Sequence, residues 1–104
     1  MSSRNNPVKL SPRARQDFID ILRYTGETWG VPQLDAYESR LRNALGVLGD
    51  NPLIGKPGRG LPGNYRLYYI GAHVIVYRVE PDGIGVARIL HQRMQLADYL
   101  PDSG

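Results

Sequence analysis

The chain has 104 residues, of which 41% are hydrophobic and 22% are charged. This length predicts one domain over residues 1–104, because two independent cores would need more residues. We expect residues 1–7 and 101–104 to be disordered tails. Cysteine is absent, which excludes a disulfide scaffold and a thiolate zinc site. Two histidines are too few for a histidine-based metal cage, so we expect no metal and no cofactor.

Lysine plus arginine outnumber aspartate plus glutamate by 13 to 10. Most of these cations are arginines, which make two-pronged contacts with carboxylates and phosphates, so the bias favours an acidic protein partner or RNA. An arginine-rich proteome would produce the same bias without a function. No apolar run approaches the roughly 20 residues of a membrane span, and residues 1–7 lack the apolar core of a signal peptide. We therefore expect a cytoplasmic protein with no membrane partner.

A short strand at residues 8–10 and two amphipathic helices are predicted first. Ser11 is a good N-cap and Pro12 is tolerated at a first helical position, so one helix begins here and ends at Gly30. Its apolar face has spacings of three and four and contains Ala14, Phe18, Ile21, Leu22, Thr25 and Trp29. The opposite, polar face contains Arg13, Gln16, Asp17, Asp20, Arg23 and Glu27.

A second helix restarts at Val31 and ends before Pro52, which cannot continue it. Its apolar stripe contains Leu34, Tyr37, Leu41, Ala44, Leu45 and Leu48. Helices joined by two or three residues fold back as an antiparallel hairpin. One side of each stripe would stay in water in a hairpin alone, so the hairpin needs a sheet to lie on.

The second half of the chain is typical of a β-meander. Residues 52–64 are predicted as a loop, followed by strands at 66–70, 73–80 and 84–90, with residues 94–100 as a closing helix or a tail. The order is β-α-α-β-β-β, an α+β fold with the helices on one face of a small antiparallel sheet. The central strand is apolar on both faces from Val74 to Val76. We expect its second face to be covered by a partner or exposed as a patch.

The side chains that could carry chemistry are basic, and they are Arg66, Arg78, Arg88, His91 and Arg93. Alternation along the last strand puts Arg88 on one face with Leu90, and Ile89 on the other. A histidine beside arginines could cleave RNA, because imidazole titrates near neutrality and guanidinium stabilises a charged phosphorane. The structural interpretation, which we favour, pairs Arg88 with an acid and gives His91 a hydrogen bond at the strand end.

Aromatic side chains are the other candidates for a functional surface. We predict Trp29 in the core at the hairpin tip, with an interface anchor as the alternative. Tyr24 and Tyr37 could line the outer surface of the hairpin. Tyr68 and Tyr69 are adjacent in a strand, so one must face the core and the other can pack on a partner.

The sequence resembles the ParE toxins of the RelE/ParE superfamily from about residue 8 to residue 95. No one motif is specific, but their order and spacing together are. The motifs are Leu10-Ser-Pro-Arg-Ala14, Tyr24-Thr25, Trp29-Gly30, Asn51-Pro52, Gly55-Lys56-Pro57, Tyr65-Arg66, Gly71-Ala-His-Val-Ile-Val-Tyr-Arg-Val79 and Arg88-Ile-Leu-His-Gln-Arg93.

The resemblance implies the toxin of a type II toxin–antitoxin system, which stabilises a plasmid or chromosome and arrests growth. ParE toxins poison DNA gyrase by binding, and a ParD-like antitoxin neutralises them in a heterotetramer or larger complex. DNA would be contacted only indirectly, through the antitoxin. Family complexes suggest that the antitoxin's C-terminal part folds on the toxin, with a helix along the hairpin and an extended piece near the sheet.

The resemblance also leads us to expect particular binding residues and no catalytic ones. For the antitoxin these are Phe18, Leu22, Tyr24, Tyr37, Arg66, Tyr68, Arg78 and Arg88. For the target they are Trp29, His91 and Arg93.

Two alternatives to gyrase inhibition stay open. One is a ribosome-dependent mRNA endoribonuclease, for which Arg66, Arg88 and His91 would be catalytic. Some interferases of the superfamily carry a His-Tyr pair after the last strand and an acid after the helices. Here Gln92 follows His91, and residues 51–56 contain no acid, which weakens this alternative. The other is a non-toxic co-repressor that only binds its antitoxin.

Overall fold

The computed structural model describes residues 7–61 and 63–100, so residues 1–6 and 101–104 of the two expected tails lie outside it. In this part of the chain, two helices pack on a five-stranded sheet. The helices are α1 (Pro12–Trp29) and α2 (Val31–Asp50), followed near the C-terminus by a short 3₁₀ helix (Leu96–Tyr99). The strands are β1 (Val8–Leu10), β2 (Lys56–Pro57), β3 (Arg66–Ile70), β4 (His73–Glu80) and β5 (Gly83–His91).

The sheet has the strand order β1-β5-β4-β3-β2, and the predicted α+β class is confirmed. The predicted antiparallel pairing of β3, β4 and β5 is confirmed, but the sheet as a whole is mixed, because β1 pairs with β5 in parallel. A parallel pair requires a long crossover connection, and here both helices and three strands lie between the two partners. The predicted loop also contains a two-residue strand, β2, which pairs with the start of β3.

The helix ends lie where the sequence predicts them. The Ser11 hydroxyl accepts a hydrogen bond from the Ala14 N–H at 3.0 Å and donates one to the Ala87 carbonyl at 2.8 Å, so this N-cap also fastens α1 to β5. Gly30 alone separates the two helices and has a φ of 95°, a backbone angle that favours glycine. The hairpin therefore begins at a residue that caps a helix and turns at a glycine that can adopt a positive φ.

Both faces of the sheet are packed, and each has its own apolar cluster. On the helix face, Ile75 and Tyr77 of β4 pack under α1 and α2. On the opposite face, which we call the far face, Val74 and Val76 pack with a second group. That group consists of Leu61, Tyr65, Leu67, Ala87, Leu90, Leu96 and Leu100. The expectation of a partner-covered or exposed second face is thus wrong, because the chain's own loop and C-terminal segment cover it.

Two residues of α1 depart from the predicted pattern. The core position predicted for Trp29 is wrong, since 67% of this residue is exposed. Its spacing does continue the apolar stripe, but no described element covers the stripe at this end. The spacing predicts Asp17 on the polar face of α1, yet its side chain is only 13% exposed and is bonded to β5. The periodicity predicts the direction of a side chain and not what lies over it.

Candidate functional site

The three residues that an endoribonuclease would use are not brought together. Arg88 lies opposite Val76 and therefore on the far face. His91 lies opposite His73, two residues after the helix-face residue Ile89, and so is on the helix face. Arg66 starts β3, whereas the other end of β3 is the end beside His73. These positions separate the three side chains by sheet face or by the length of a strand.

Arg88 is engaged in an ion pair that joins α1 to β5. Its Nε and Nη2 donate to the two carboxylate oxygens of Asp17 at 2.8 and 2.9 Å, and Nη1 donates to the Tyr99 carbonyl at 3.0 Å. Asp17 also accepts the Ile89 N–H at 2.9 Å. The hydrogen bonding of Arg88 to the Asp17 carboxylate raises the pKa of Arg88. The structural interpretation of Arg88, pairing with an acid, is confirmed.

Arg66 holds the segment that follows α2. Its Nε and Nη2 donate to the Gly55 carbonyl at 3.0 and 2.7 Å, and Nη2 also donates to the Leu53 carbonyl at 3.0 Å. The buried hydroxyl of Tyr77 completes this clamp by donating to the Pro52 carbonyl at 2.7 Å and accepting the Gly55 N–H at 2.9 Å. Tyr77 is not among the residues predicted from the sequence, although a tyrosine in a buried strand needs a hydrogen-bond partner.

A cleft of about 440 Å³ opens where the end of the helical hairpin meets the β3–β4 turn. We call it the hairpin-end cleft, and its lining is Tyr24, Thr25, Trp29, Gln33, Ala36, Tyr37, Arg40, Gly71, Ala72, His73 and His91. It brings together Trp29 and His91 from the predicted target-binding set. The third member, Arg93, is exposed, and its N–H donates to His91 Nδ1 at 3.1 Å. This bond confirms the structural interpretation of His91 at the strand end.

A tyrosine and two histidines form the back of the hairpin-end cleft. The hydroxyl oxygen of Tyr37 lies 2.6 Å from His73 Nδ1 and 3.2 Å from the Ile70 carbonyl. The His73 and His91 rings meet edge to face with centroids 5.5 Å apart. Burial, and then the neighbouring His91, lowers the pKa of His73, while burial raises the pKa of Tyr37. The contact therefore ties α2 to β4 through groups that prefer to stay neutral.

The β3–β4 turn can approach Tyr37 only because residue 71 is glycine. Gly71 has a φ of 56°, and a Cβ atom there would lie 2.7 Å from the Tyr37 hydroxyl oxygen. A side chain at this position would be strained and would push the ring away.

The pairing of the two histidines could not be read from the sequence. Counting back from the β4–β5 turn, Glu80 opposes Gly83, and this register would place Leu90 opposite His73. A bulge between Val76 and Tyr77 shifts the register by one residue, so that His91 opposes His73 instead. A one-residue shift exchanges the faces of all later side chains.

The remaining residues predicted to bind an antitoxin lie on both faces. Phe18 is half-buried with the Arg42 guanidinium 5.2 Å from its ring centroid, and Leu22 is also half-buried. Tyr68 packs against the helix-face core, whereas its neighbour Tyr69 is exposed, as the alternation predicts. Arg78 is exposed on the far face, where its guanidinium lies 4.5 Å from the Tyr65 ring centroid.

A second cleft, of about 710 Å³, lies on the far face beside Arg78 and Arg88. Glu80 and Asp98 also line it, so it offers both signs of charge. Within the described residues, no group of three or more histidine, cysteine, aspartate or glutamate side chains could hold a metal ion. None of the helices in the described part of the chain has the length and hydropathy that a membrane span requires.

Comparison with known proteins places the chain. The family model for the ParE toxin of the type II toxin–antitoxin system parDE matches residues 8–96. Toxin ParE1 of Caulobacter vibrioides is 35% identical over 94 residues, covering 90% of this chain and 97% of that protein. Toxin ParE1 of Mycobacterium tuberculosis is 38% identical over 97 residues, covering 92% and 96%.

The fold has a solved counterpart. A chain of the chromosomal ParDE toxin–antitoxin system from P. aeruginosa matches with a TM-score of 0.71 and 19% identity, covering 86% of this chain and 98% of that one. At this identity the match concerns the fold alone. The family model and the two relatives, which span nearly the whole chain, decide the family. The chain belongs to the ParE toxin family of type II toxin–antitoxin systems.

Proposed function

We propose that this toxin acts by binding DNA gyrase, without catalysis, and that a ParD-like antitoxin neutralises it in a heterotetramer or larger complex. Membership of the ParE family supports the choice of target. The observation that favours binding over catalysis is the separation of Arg66, Arg88 and His91, of which Arg66 and Arg88 are tied to the chain's own oxygens. We place the encounter in the cytoplasm, where gyrase acts on DNA.

The surface that we assign to the target is the hairpin end, with Trp29, His91 and Arg93. Trp29 is 67% exposed, and a tryptophan in water beside a cleft is the kind of residue that anchors protein interfaces. Arg93 and its neighbour His91 add basic character next to it. Growth arrest would follow from occupation of gyrase through this surface.

For the antitoxin we propose two contact regions, in keeping with the family arrangement. Along the hairpin these are Phe18, Leu22, Tyr24 and Tyr37, and on the sheet Arg66, Tyr68, Arg78 and Arg88. Tyr24 and Arg78 are both exposed, although Arg78 Nη2 donates to the Tyr65 hydroxyl at 3.0 Å, whereas Arg88 is held by Asp17. A ParD-like partner with an acidic C-terminal part would complement the basic surface, and DNA would be reached through that partner.

The function is tested by two parallel reactions with the purified toxin. In the first, the toxin is titrated into a gyrase supercoiling assay, with and without the antitoxin. In the second, it is incubated with ribosomes carrying a defined messenger RNA. We expect inhibition of supercoiling that the antitoxin reverses, and intact message. Cleaved message together with unimpaired supercoiling would replace this proposal with the endoribonuclease alternative, and no effect in either reaction would favour the co-repressor.

A further inference from the structure

We propose that the hairpin-end cleft binds a nucleoside phosphate, with the base against the exposed aromatic rings and the phosphate facing Arg40 and His91. A free mononucleotide and an unpaired nucleotide of a strand share this chemistry. The inference goes beyond gyrase inhibition, because it concerns a ligand that the toxin binds by itself.

The charge of the cleft favours an anion. The cation in its lining is Arg40, and the lining contains neither aspartate nor glutamate. The Arg40 guanidinium lies 5.7 Å from the Tyr37 ring centroid. Among residues 7–61 and 63–100, the ion pairs within 4.0 Å involve Arg23, Arg42 and Arg88, so Arg40 has no carboxylate partner there. A guanidinium without a carboxylate is free to take a phosphate in two-pronged geometry.

The hydrogen bond at His91 Nδ1 favours an anion over a metal ion. The Arg93 N–H donates to His91 Nδ1, so this nitrogen carries no proton and the neutral ring holds its proton on Nε2. A metal-binding histidine usually has the reverse arrangement, with Nδ1–H donating to an oxygen and the Nε2 lone pair free. His91 therefore offers a hydrogen-bond donor, which suits a phosphate oxygen.

The backbone carbonyls at the floor of the cleft are already occupied. The Tyr37 hydroxyl lies 3.2 Å from the Ile70 carbonyl, to which it can donate. Gln92 donates from its side chain to the Gly71 carbonyl at 2.7 Å and from its backbone to the Ala72 carbonyl at 2.9 Å. A peptide segment needs acceptors for its own N–H groups as well as donors. The Gly71 and Ala72 carbonyls each already accept one hydrogen bond, which leaves fewer acceptors for the N–H groups of a peptide laid across the floor.

The rim provides flat aromatic surface. Trp29 is 67% exposed and Tyr24 is 65% exposed, and both line the cleft. Aromatic side chains beside positive charge are the usual platform for nucleobases, because every base has a π-face. The volume of about 440 Å³ lies within the roughly 300–1,000 Å³ that is typical of small-molecule sites.

The chain has a single tryptophan, so tryptophan fluorescence reports only on the surroundings of Trp29 and allows a direct test. The toxin alone is titrated with adenosine monophosphate, single-stranded oligothymidylate, inorganic phosphate and a polyglutamate peptide. We expect saturable quenching by adenosine monophosphate with a Kd below about 1 mM. Arg40→Gln and His91→Gln should each raise this Kd by about fivefold or more, as the loss of one charge-assisted hydrogen bond implies. Arg15→Gln removes the same charge from an exposed site on α1 outside the cleft and should leave the Kd unchanged.

Comparing the oligonucleotide with adenosine monophosphate distinguishes the source of the nucleotide. Tighter binding of the oligonucleotide, with the same dependence on Arg40 and His91, assigns the site to a strand, and weaker or equal binding assigns it to the free nucleotide. Either result requires movement of the His91 imidazole NMR signals on adding ligand. The proposal is overturned by absent saturation, by inorganic phosphate binding as tightly as the nucleotide, or by binding of polyglutamate alone. Because gyrase is absent from this assay, its failure leaves the supercoiling result untouched.

Discussion

Arg88 on the far face and Arg40 in the hairpin-end cleft have opposite surroundings. On the far face, Arg88 is 11% exposed and donates its hydrogen bonds to Asp17 and the Tyr99 carbonyl. At the hairpin end, Arg40 lies beside Tyr37 without a described carboxylate partner. Both are arginines in an arginine-rich chain, so residue type does not separate them. What separates them is whether the chain itself supplies the acceptor, and only the unsatisfied cation is free for a ligand.

The largest effect is expected for a substitution of Asp17, which pairs with Arg88. Asp17→Asn removes the charge that neutralises Arg88, and leaving a nearly buried cation unpaired should lower the free energy of unfolding by about 3 kcal/mol. Urea denaturation measures this change. The matched control is Asp20→Asn, whose partner Arg23 is 61% exposed, so the loss there should stay within about 0.5 kcal/mol. Equal effects of the two substitutions would mean that Arg88 is not held as described.

A smaller effect is expected at the clamp beneath residues 52–55. Tyr77→Phe leaves the buried Gly55 N–H without its acceptor and the Pro52 carbonyl without its donor, which should lower the free energy of unfolding by about 1–3 kcal/mol. Tyr69→Phe removes the same atom from an exposed ring and serves as the control, with no measurable change. A Tyr77→Phe protein as stable as the parent would show that the hydroxyl does not hold this segment.

The smallest expected effect is the pH dependence of stability that comes from His73 in the hairpin-end cleft. His73 should titrate below about 6.5, the pKa of an unperturbed histidine, because burial and His91 disfavour its charged form. As the pH falls below 6.5, the unfolded chain takes up the proton first, so the stability present above 6.5 is lost on approach to the folded pKa. Imidazole NMR titration measures the midpoint, and His91→Gln should move it upward. A wild-type midpoint at or above 6.5 would contradict this description of the cleft.

Local signals in the sequence predicted the helices well. Ser11, Pro12 and Gly30 act at the positions where the structure uses them, since capping and chain reversal depend on a few adjacent residues. The apolar stripe of α2 is buried from Leu41 to Leu48, as its spacing predicts. Such features follow from the nearest neighbours along the chain.

Features that depend on distant parts of the chain were not predictable in the same way. The bulge after Val76 places His91 opposite His73, and no residue type in the sequence indicates where this bulge lies. The burial of Leu100 on the far face depends on the path of the chain after β5. Trp29 has the spacing of a core residue but lies beyond the cover of any described element. The site is formed by these long-range placements, which is why it could be predicted only in part.

The central claim is that the open hairpin end, and not the arginines of the sheet, engages gyrase. Binding of the toxin to immobilised gyrase tests it most directly. Trp29→Ala is compared with Tyr69→Ala, which changes an exposed aromatic residue on β3 that does not line the hairpin-end cleft. We predict that Trp29→Ala weakens binding at least about tenfold, the equivalent of 1.4 kcal/mol, while Tyr69→Ala binds as the parent does. Undiminished binding by Trp29→Ala would contradict the account.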